Sequence, residues 1–583
     1  MRPEPSGATG QGLPMSARRT ISNARIQGLP VTMLTKRKTS CLLASLCLSP
    51  LAAMAQTPPT AGQILQQAAP PPPMPANTAP RTVVEEIAPA QSGNGEYVPV
   101  SGIRFSGNRV FDDTVLQSLV AGAFLPRMQM EELEALALRV TRHYRENGYL
   151  VARAWLPPQD ISGGIVTIAV LEGQLGQVRL NDTAGVAGNA TAPLRRLRSG
   201  DTVNGPAFES TLLELADLPG VEVRSTLRPG ASVGTSDFLV DILPSAAVTG
   251  SVDLDNYGNR YIGAERLGTS LYWNNPAHLG DQVSLRVQGG LDDYRYGRLG
   301  YQLPFGRHAT RIGAAWSVMR YELGKDFASL DAGGRAEVGS LYLQQPLMRS
   351  RRANWSATLQ YDDKLLQDDI GATRTRGRKK LRNGTLGISG VFFDGLGAGA
   401  SNSLALNYTR GQLGLDDTSA LIDRLTARSR GDFGKWSLSY QRQQRLPGNW
   451  LLAFAGNAQW ADRNLDSSEK MLLGGAGGVR AYPQGEASGD SGYMVNLELR
   501  HAVAERLEVF GFHDQGRVRL NHSRWDSKGR NHRRLAGYGI GATYVLAPFS
   551  IQAFAAWKDG TGAPESDKDR SPRLWTQLVY QFR

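Results

Sequence analysis

Cysteine is almost missing from this 583-residue chain: the two present, Cys41 and Cys47, share one short apolar stretch near the start. Such scarcity leaves the rest of the sequence without a disulfide framework, a thiolate metal site or a cysteine nucleophile. Long apolar runs are missing too. No stretch reaches the roughly 18 consecutive apolar residues that a spanning helix requires, and mean hydropathy is −0.31. If the chain crosses a membrane, it crosses with strands. Histidine is scarce as well, and none of His143, His278, His308, His501, His513, His522 and His532 stands in the sequence context of a catalytic base. There is no HExxH, no metal-ligand spacing and no paired-carboxylate signal. These absences assign no catalytic residue, no metal and no cofactor, and the expectation is a protein that is not an enzyme.

The formal net charge of +12 is also less than it looks. From Met33 the sequence has the form of an export signal: a basic start at Lys36 to Lys38, an apolar run from Cys41 to Met54, and Ala53-Met54-Ala55 before a cleavage point at Gln56. The expected signal is 33–55, with 1–32 an upstream extension and Met33 the expected start. Without residues 1–55 the chain holds 58 basic and 52 acidic residues, a net +6. That is no nucleic-acid signature. The densest basic run, residues 374–382 (RTRGRKKLR), reads as a solvated turn or loop, with an anionic contact such as lipid phosphate as the alternative.

What is present comes in three regimes. Residues 56–68 hold a possible two-turn helix, too short to be stable alone in water, and residues 69–96 are an Ala, Pro and Gln-rich tether with APPPPMP at 69–75. From 97 to 245 strands and helices alternate, and the order strand, helix, helix, strand, strand occurs twice, over 97–174 and 175–245. Two copies of one small α+β module follow from that repeat. Within the first, Leu133, Leu136, Ala137, Val140 and Tyr144 fall on one helical stripe, and Gly148 supplies its stop. From 246 to 583 the period becomes two. In WSATLQY, Trp355, Ala357, Leu359 and Tyr361 oppose Ser356, Thr358 and Gln360, and VNLELRH sets Val495, Leu497 and Leu499 against Asn496, Glu498 and Arg500. Apolar and aromatic on one side and polar on the other, in segments of about ten residues, this is the dyad of a transmembrane barrel with a wet lumen. A soluble sandwich is the alternative. About sixteen such segments can be counted. The expected fold is therefore mainly β: a 16-stranded antiparallel barrel preceded by two α+β domains and a short helix.

The densest motif is GGVRAYPQGEASGDSG at 477–492, placed in the sixth extracellular loop (about 464–492). Gly489-Asp490-Ser491-Gly492 imitates a serine-protease nucleophile, but no histidine is positioned to serve it. The preceding glycines lack the GK[ST] of a phosphate loop. A structural reading fits better: glycines fold the loop back tightly and deliver Arg480 into the lumen, where a carboxylate must meet it. Asp514, two strands on in VFGFHDQG, is the candidate. Phe510 and Phe512 are expected to face lipid, and Asp514 shares their parity, so it needs a bulge or a place near the rim to turn inward. The alternative is that Arg480 is a wet loop residue.

Together these features resemble the TpsB transporters of two-partner secretion (the ShlB/FhaC/HecB family), within the outer-membrane insertase and translocase superfamily. The resemblance rests on the signal, short helix, Pro-rich linker, two modules, DNYGNRYIG (255–263), NNPAHLGDQ (274–282), the loop motif and Phe512-His513-Asp514. It implies that the modules are POTRA domains and that residues 56–68 are a lumen plug, with Gln63, Ile64 and Leu65 at its centre. It also implies that Arg480 locks onto Asp514, with Gly478, Val479, Tyr482, Gly489, Asp490 and Phe512 as supporting motif residues. The implied function is export of a large β-helical haemolysin, haemagglutinin or adhesin-like partner across the outer membrane without ATP, with POTRA domains in the periplasm. Its implied contacts are a TpsA-like protein, outer-membrane lipid and the barrel assembly machinery, with no nucleic acid. The rivals are a barrel-protein insertase of the same superfamily and a diffusion porin. Two letters depart from the family: Ala481 stands where its loop has glycine, which would strain a backbone needing positive φ, and Arg583 follows the terminal aromatic Phe582.

Overall fold

The computed structural model describes residues 58–68, the backbone of Thr82–Val84, and residues 97–582 apart from 187, 527, 528 and 561. The expected extension and signal (1–55) and the Pro-rich run at 69–75 lie outside the described residues. Helix α1 (Ala61–Ala68) and strand β1 (Thr82–Val84) come first. The first module is β2 (Tyr97–Pro99), β3 (Gly102–Ser106), α2 (Asp113–Ala121), β4 (Arg127–Gln129), α3 (Met130–Glu146), β5 (Arg153–Trp155) and β6 (Ile165–Leu171). The second is β7 (Gln174–Asp182), a 3-10 turn at Ala192–Arg196, α4 (Gly205–Ala216), β8 (Val221–Pro229) and β9 (Thr235–Pro244).

The two modules repeat one pairing rule. In the first, β3 lies parallel to β6 while β5 is antiparallel to it; in the second, β7 lies parallel to β9 while β8 is antiparallel to it. Helix α3 forms because its apolar stripe buries Leu133, Leu136, Ala137, Val140 and Tyr144 against that sheet, and a Gln129–Glu132 capping box satisfies its first turn. Phe208 and Phe238 meet edge to face at 4.7 Å in the second core. One reading needs correction: the tether contributes structure, because β1 pairs in parallel with the edge strand β8.

The remaining strands close into a barrel of sixteen, each antiparallel to its neighbours. They are β10 (Val248–Asp255), β11 (Arg266–Asn274), β12 (Gln282–Gly290), β13 (Tyr294–Phe305), β14 (Thr310–Glu322), β15 (Ala332–Arg349), β16 (Ala353–Ile370), β17 (Thr375–Asp394) and β18 (Ala400–Leu415). After α5 (Asp417–Leu425) come β19 (Gly431–Leu446) and β20 (Trp450–Ala461). The sixth loop, 462–490, holds the short pair β21 (Met471–Leu472) and β22 (Ser488–Gly489). Then follow β23 (Ser491–Ala504), β24 (Leu507–Arg519), β25 (His532–Leu546), β26 (Phe549–Lys558) and β27 (Arg573–Phe582), which pairs with β10 and removes the sheet edge. Phe582 sits opposite Gly250 within that closing ladder. No helix among the described residues is long and apolar enough to span a membrane.

Strands on the β15–β19 side run to twenty residues, longer than the roughly ten a bilayer needs. That length overturns the loop reading of residues 374–382: all but Arg374 belong to β17, with Arg376, Arg378, Lys380 and Arg382 facing out and Lys379 facing in. A charged run continues the ladder here because the strand end stands above the hydrocarbon, where backbone pairing persists without apolar side chains.

The second module is tied to the turns at one end of the barrel by ion pairs. Arg349 reaches both oxygens of Asp217, just past the end of α4, at 2.7 and 2.8 Å; Arg311 donates to the Asp217 carbonyl, and Arg351 meets Glu209. The NNPAHLGDQ segment is the turn between β11 and β12. Buried Asp281 accepts from the amides of Ala277 and Leu279 and from Tyr301 there, and a side chain at Gly280 would strike Ala190 and Leu218 of the second module.

Candidate functional site

The barrel lumen holds two insertions, α1 and the sixth loop. Glycines set the loop's path at two close approaches. A Cβ at Gly478 would lie 2.1 Å from the Leu473 carbonyl, and one at Gly489 would lie 2.6 Å from Val518 and 2.7 Å from the Arg519 carbonyl. Val479 and Tyr482 are fully buried at the turn so formed.

Arg480 projects from this turn onto β24. Its Nε and backbone N donate to Asp514 Oδ2 at 2.9 and 3.0 Å, and Nη2 donates to Oδ1 at 2.7 Å. Nη1 contacts Glu498 on β23, whose other oxygen accepts from Arg500. The guanidinium also lies over the Phe512 ring, 3.5 Å from its centroid. Trp575 Nε1 donates to the Arg480 carbonyl at 2.7 Å, and Asn496 joins Asp514 Oδ1 to the Gly478 carbonyl. The bidentate geometry suits arginine's planar fork.

One orientation differs from expectation. Phe510 and Phe512 face the lumen with Asp514, while Val509 and His513 face out, so the aspartate turns inward with no bulge. The rings are apolar but their place is in the loop's packing cluster, beside Val479, Ala481, Tyr482, Phe554 and Trp575. An alternation rule reads apolar as lipid-facing and fails where the lumen itself contains a packed core.

Sequence reasoning passed over Glu498 and Glu486. Glu498 was visible as an acid on the polar face of VNLELRH. Buried Glu486 accepts from the amides of Glu565 and Ser566 and from Arg533, which ties the sixth loop to the eighth, 559–572; Tyr482 Oη adds a bond to the Gly562 carbonyl. Asp490 ties the same loop to the seventh through the His522 amide and to Lys470. Ser491 Oγ accepts from the Ala461 amide and meets no histidine.

Ala481 is not strained. It holds an ordinary negative φ, and its methyl occupies space left by Gly537, where a Cβ would come within 2.4 Å of it. We predict that Ala481→Gly leaves partner release unchanged within about twofold, whereas Gly537→Ala overpacks the seat at a cost of about 1–3 kcal/mol. Adding Ala481→Gly to Gly537→Ala should restore part of that loss, part only because the Trp557 carbonyl also crowds the position at 2.9 Å. Thermal stability of the folded barrel in detergent checks the series.

Helix α1 lies against β15 and β16 within the lumen. Gln63 Oε1 accepts from the Thr60 amide, and Asp368 Oδ1 accepts from the Ala61 amide at 2.7 Å and from Tyr321. Ile64 is fully buried in a cluster with Tyr261, Tyr294, Met319 and Leu366, and Leu65 packs at its margin. The helix also touches the sixth loop: Thr60 Oγ1 and Ser467 Oγ are 2.8 Å apart, and a side chain at Gly62 would strike Ser468. Beneath that contact Lys364 and Lys435 converge on Glu469, while Lys379 pairs with Asp466.

A closed sixteen-stranded barrel with paired periplasmic modules and a lumen filled by a loop and a helix defines an outer-membrane transporter. Residues 234–544 match the family described as "Haemolysin secretion/activation protein ShlB/FhaC/HecB", and residues 98–173 match "POTRA domain, ShlB-type". The chain belongs to this ShlB/FhaC/HecB family of two-partner secretion transporters, and it resides in the outer membrane with its POTRA region in the periplasm. It is 29% identical to "Heme/hemopexin transporter protein HuxB" of Haemophilus influenzae (strain 86-028NP) over 475 residues, 78% of this chain and 82% of that protein. It is 28% identical to "Outer membrane transporter CdiB" of Escherichia coli O6:K15:H31 (strain 536 / UPEC), covering 72% of each. Among solved structures, CdiB from Escherichia coli superposes with a TM-score of 0.65 at 24% identity, over 85% of this chain and 93% of that one, a likeness of fold.

Proposed function

We propose that this transporter exports one large partner built of repeated β-structure, of the kind its relatives' names associate with haem/hemopexin and haemolysin, and that it does so without nucleotide hydrolysis or any catalytic step of its own. Residues 97–174 and 175–245 serve as two POTRA domains that hold unfolded partner, by strand addition at an exposed sheet edge. Residues 56–68 are the plug, and they leave the lumen before the partner enters. Arg480 with Asp514, backed by Phe512 and Glu498, holds the sixth loop in its working position. The single observation that carries this reading is the doubly filled lumen: α1 and the loop fill it and touch each other through Thr60 and Ser467, an arrangement a diffusion porin has no use for.

The test is secretion itself. The full chain is expressed with the exported product of an adjacent open reading frame, and the partner is measured in the medium. The expected result is release only when both are present. Partner that stays in the periplasm, or that leaves without the transporter, overturns the assignment.

A further inference from the structure

Apart from Lys379, the basic residues of β17 face away from the lumen, and that outward face is built in layers. On the outside of β16–β19, Leu359, Leu386, Tyr408 and Trp436 stand in one register row, with Ile388, Leu406 and Leu438 in the next row toward the periplasm. Tyr408 and Trp436 pack with ring centroids 4.8 Å apart, as the aromatic collar at a membrane interface does. Immediately above come Tyr361, Gly384 and Arg410, then Asp363, Arg382 and Gln412, then Lys380.

Cations outnumber carboxylates there. Lys380 and Arg382 both turn to the one carboxylate of Asp363, at 3.2 and 3.6 Å, and Arg410 reaches Asp432 at only 3.7 Å. Their side chains stay open, 55% exposed for Arg382 and 65% for Arg410. Between them the wall is low: a Cβ at Gly384 would meet nothing nearer than 3.9 Å. The result is a shallow seat with three cations around it and an apolar slope beneath, all on the outer-leaflet side of the collar.

We propose that this seat binds the phosphorylated sugar headgroup of an outer-leaflet glycolipid, lipid A, with phosphate held by Lys380, Arg382 and Arg410 and acyl chains on the Leu386, Ile388 and Leu406 face. Charge and depth favour this occupant together: the cations complement phosphate, and only a lipid presents phosphate directly above acyl chains at this height.

The test uses the full chain, delipidated in detergent, with retained lipid counted by native mass spectrometry. Bisphosphoryl lipid A, monophosphoryl lipid A and phosphatidylglycerol are the probes. Bisphosphoryl lipid A should bind at least about fivefold more tightly than phosphatidylglycerol, and the Lys380→Gln/Arg382→Gln/Arg410→Gln variant should lose that preference. The pair Arg517→Gln/Arg534→Gln, outward on β24 and β25, should keep it. Equal binding of all three lipids, or an equal loss in both variants, overturns the site. On the unaltered protein, weaker binding of monophosphoryl than bisphosphoryl lipid A supports the proposal, and no difference refutes it, so the test survives a variant that fails to assemble.

Discussion

Replacing Arg480 by alanine should leave a barrel in the outer membrane and reduce partner release at least about tenfold, the equivalent of about 1.4 kcal/mol in the loop's working position. The local loss is larger than that threshold. Asp514 is fully buried and loses the guanidinium that neutralises it, whereas Glu498 keeps Arg500, so the substitution strands one carboxylate. Breaking one side of a buried pair costs about 3–5 kcal/mol, because the charge left behind has neither water nor partner. The barrel survives because its sixteen ladders close without the loop. The loop loses its working position at this turn, since the guanidinium is what ties it to Glu498 of β23, Asp514 of β24 and the Phe512 ring at once. Arg480→Lys should rescue little: one ammonium cannot hold Asp514 bidentately while reaching Glu498. Heat-modifiable migration of the barrel reports assembly, and partner in the medium reports function. Wild-type secretion by Arg480→Ala would remove the pair from the mechanism.

Much of this architecture was legible because barrel strands and amphipathic helices write their geometry in period. The dyad in WSATLQY and VNLELRH, the stripe on α3 and the two-fold module order each follow from which face must be dry. What was not legible follows from the same physics. Phe510 and Phe512 look lipid-facing until one knows that the sixth loop brings its own apolar core, Val479, Ala481 and Tyr482, into the lumen. RTRGRKKLR looks like a loop until β17 is seen to rise beyond the hydrocarbon. The Glu486 clamp on the eighth loop and the Asp368 cap on α1 join residues 79 and 307 positions apart. A single sequence carries no signal for such pairings, whereas Arg480 was legible as a charge that had to find a carboxylate.

Deleting residues 56–80 should raise the single-channel conductance of the reconstituted protein at least about tenfold, because α1 takes up the lumen beside β15 and β16 that the sixth loop leaves free. The helix is held, but not deeply. Ile64 is its one large fully buried side chain, and burying such a side chain contributes about 1.5–3 kcal/mol. Its polar contacts are few: Thr60 to Ser467 adds about 0.5–1.5 kcal/mol in net terms, and Ala61 to Asp368 and the Gln67 carbonyl to Arg266, each with a charged partner, about 1.5–3. Once withdrawn, an eight-residue helix has little reason to stay folded, which weakens the bound state further. A plug of that strength would close the pore at rest and still yield to a partner held at the periplasmic modules. Asp368→Ala should therefore lie between the two extremes, with more frequent open events than the unaltered chain and fewer than the deletion. It removes the acceptor of the Ala61 amide and leaves Ile64 in place. A conductance unchanged by the deletion would mean that α1 does not occlude the path and that the sixth loop alone closes it.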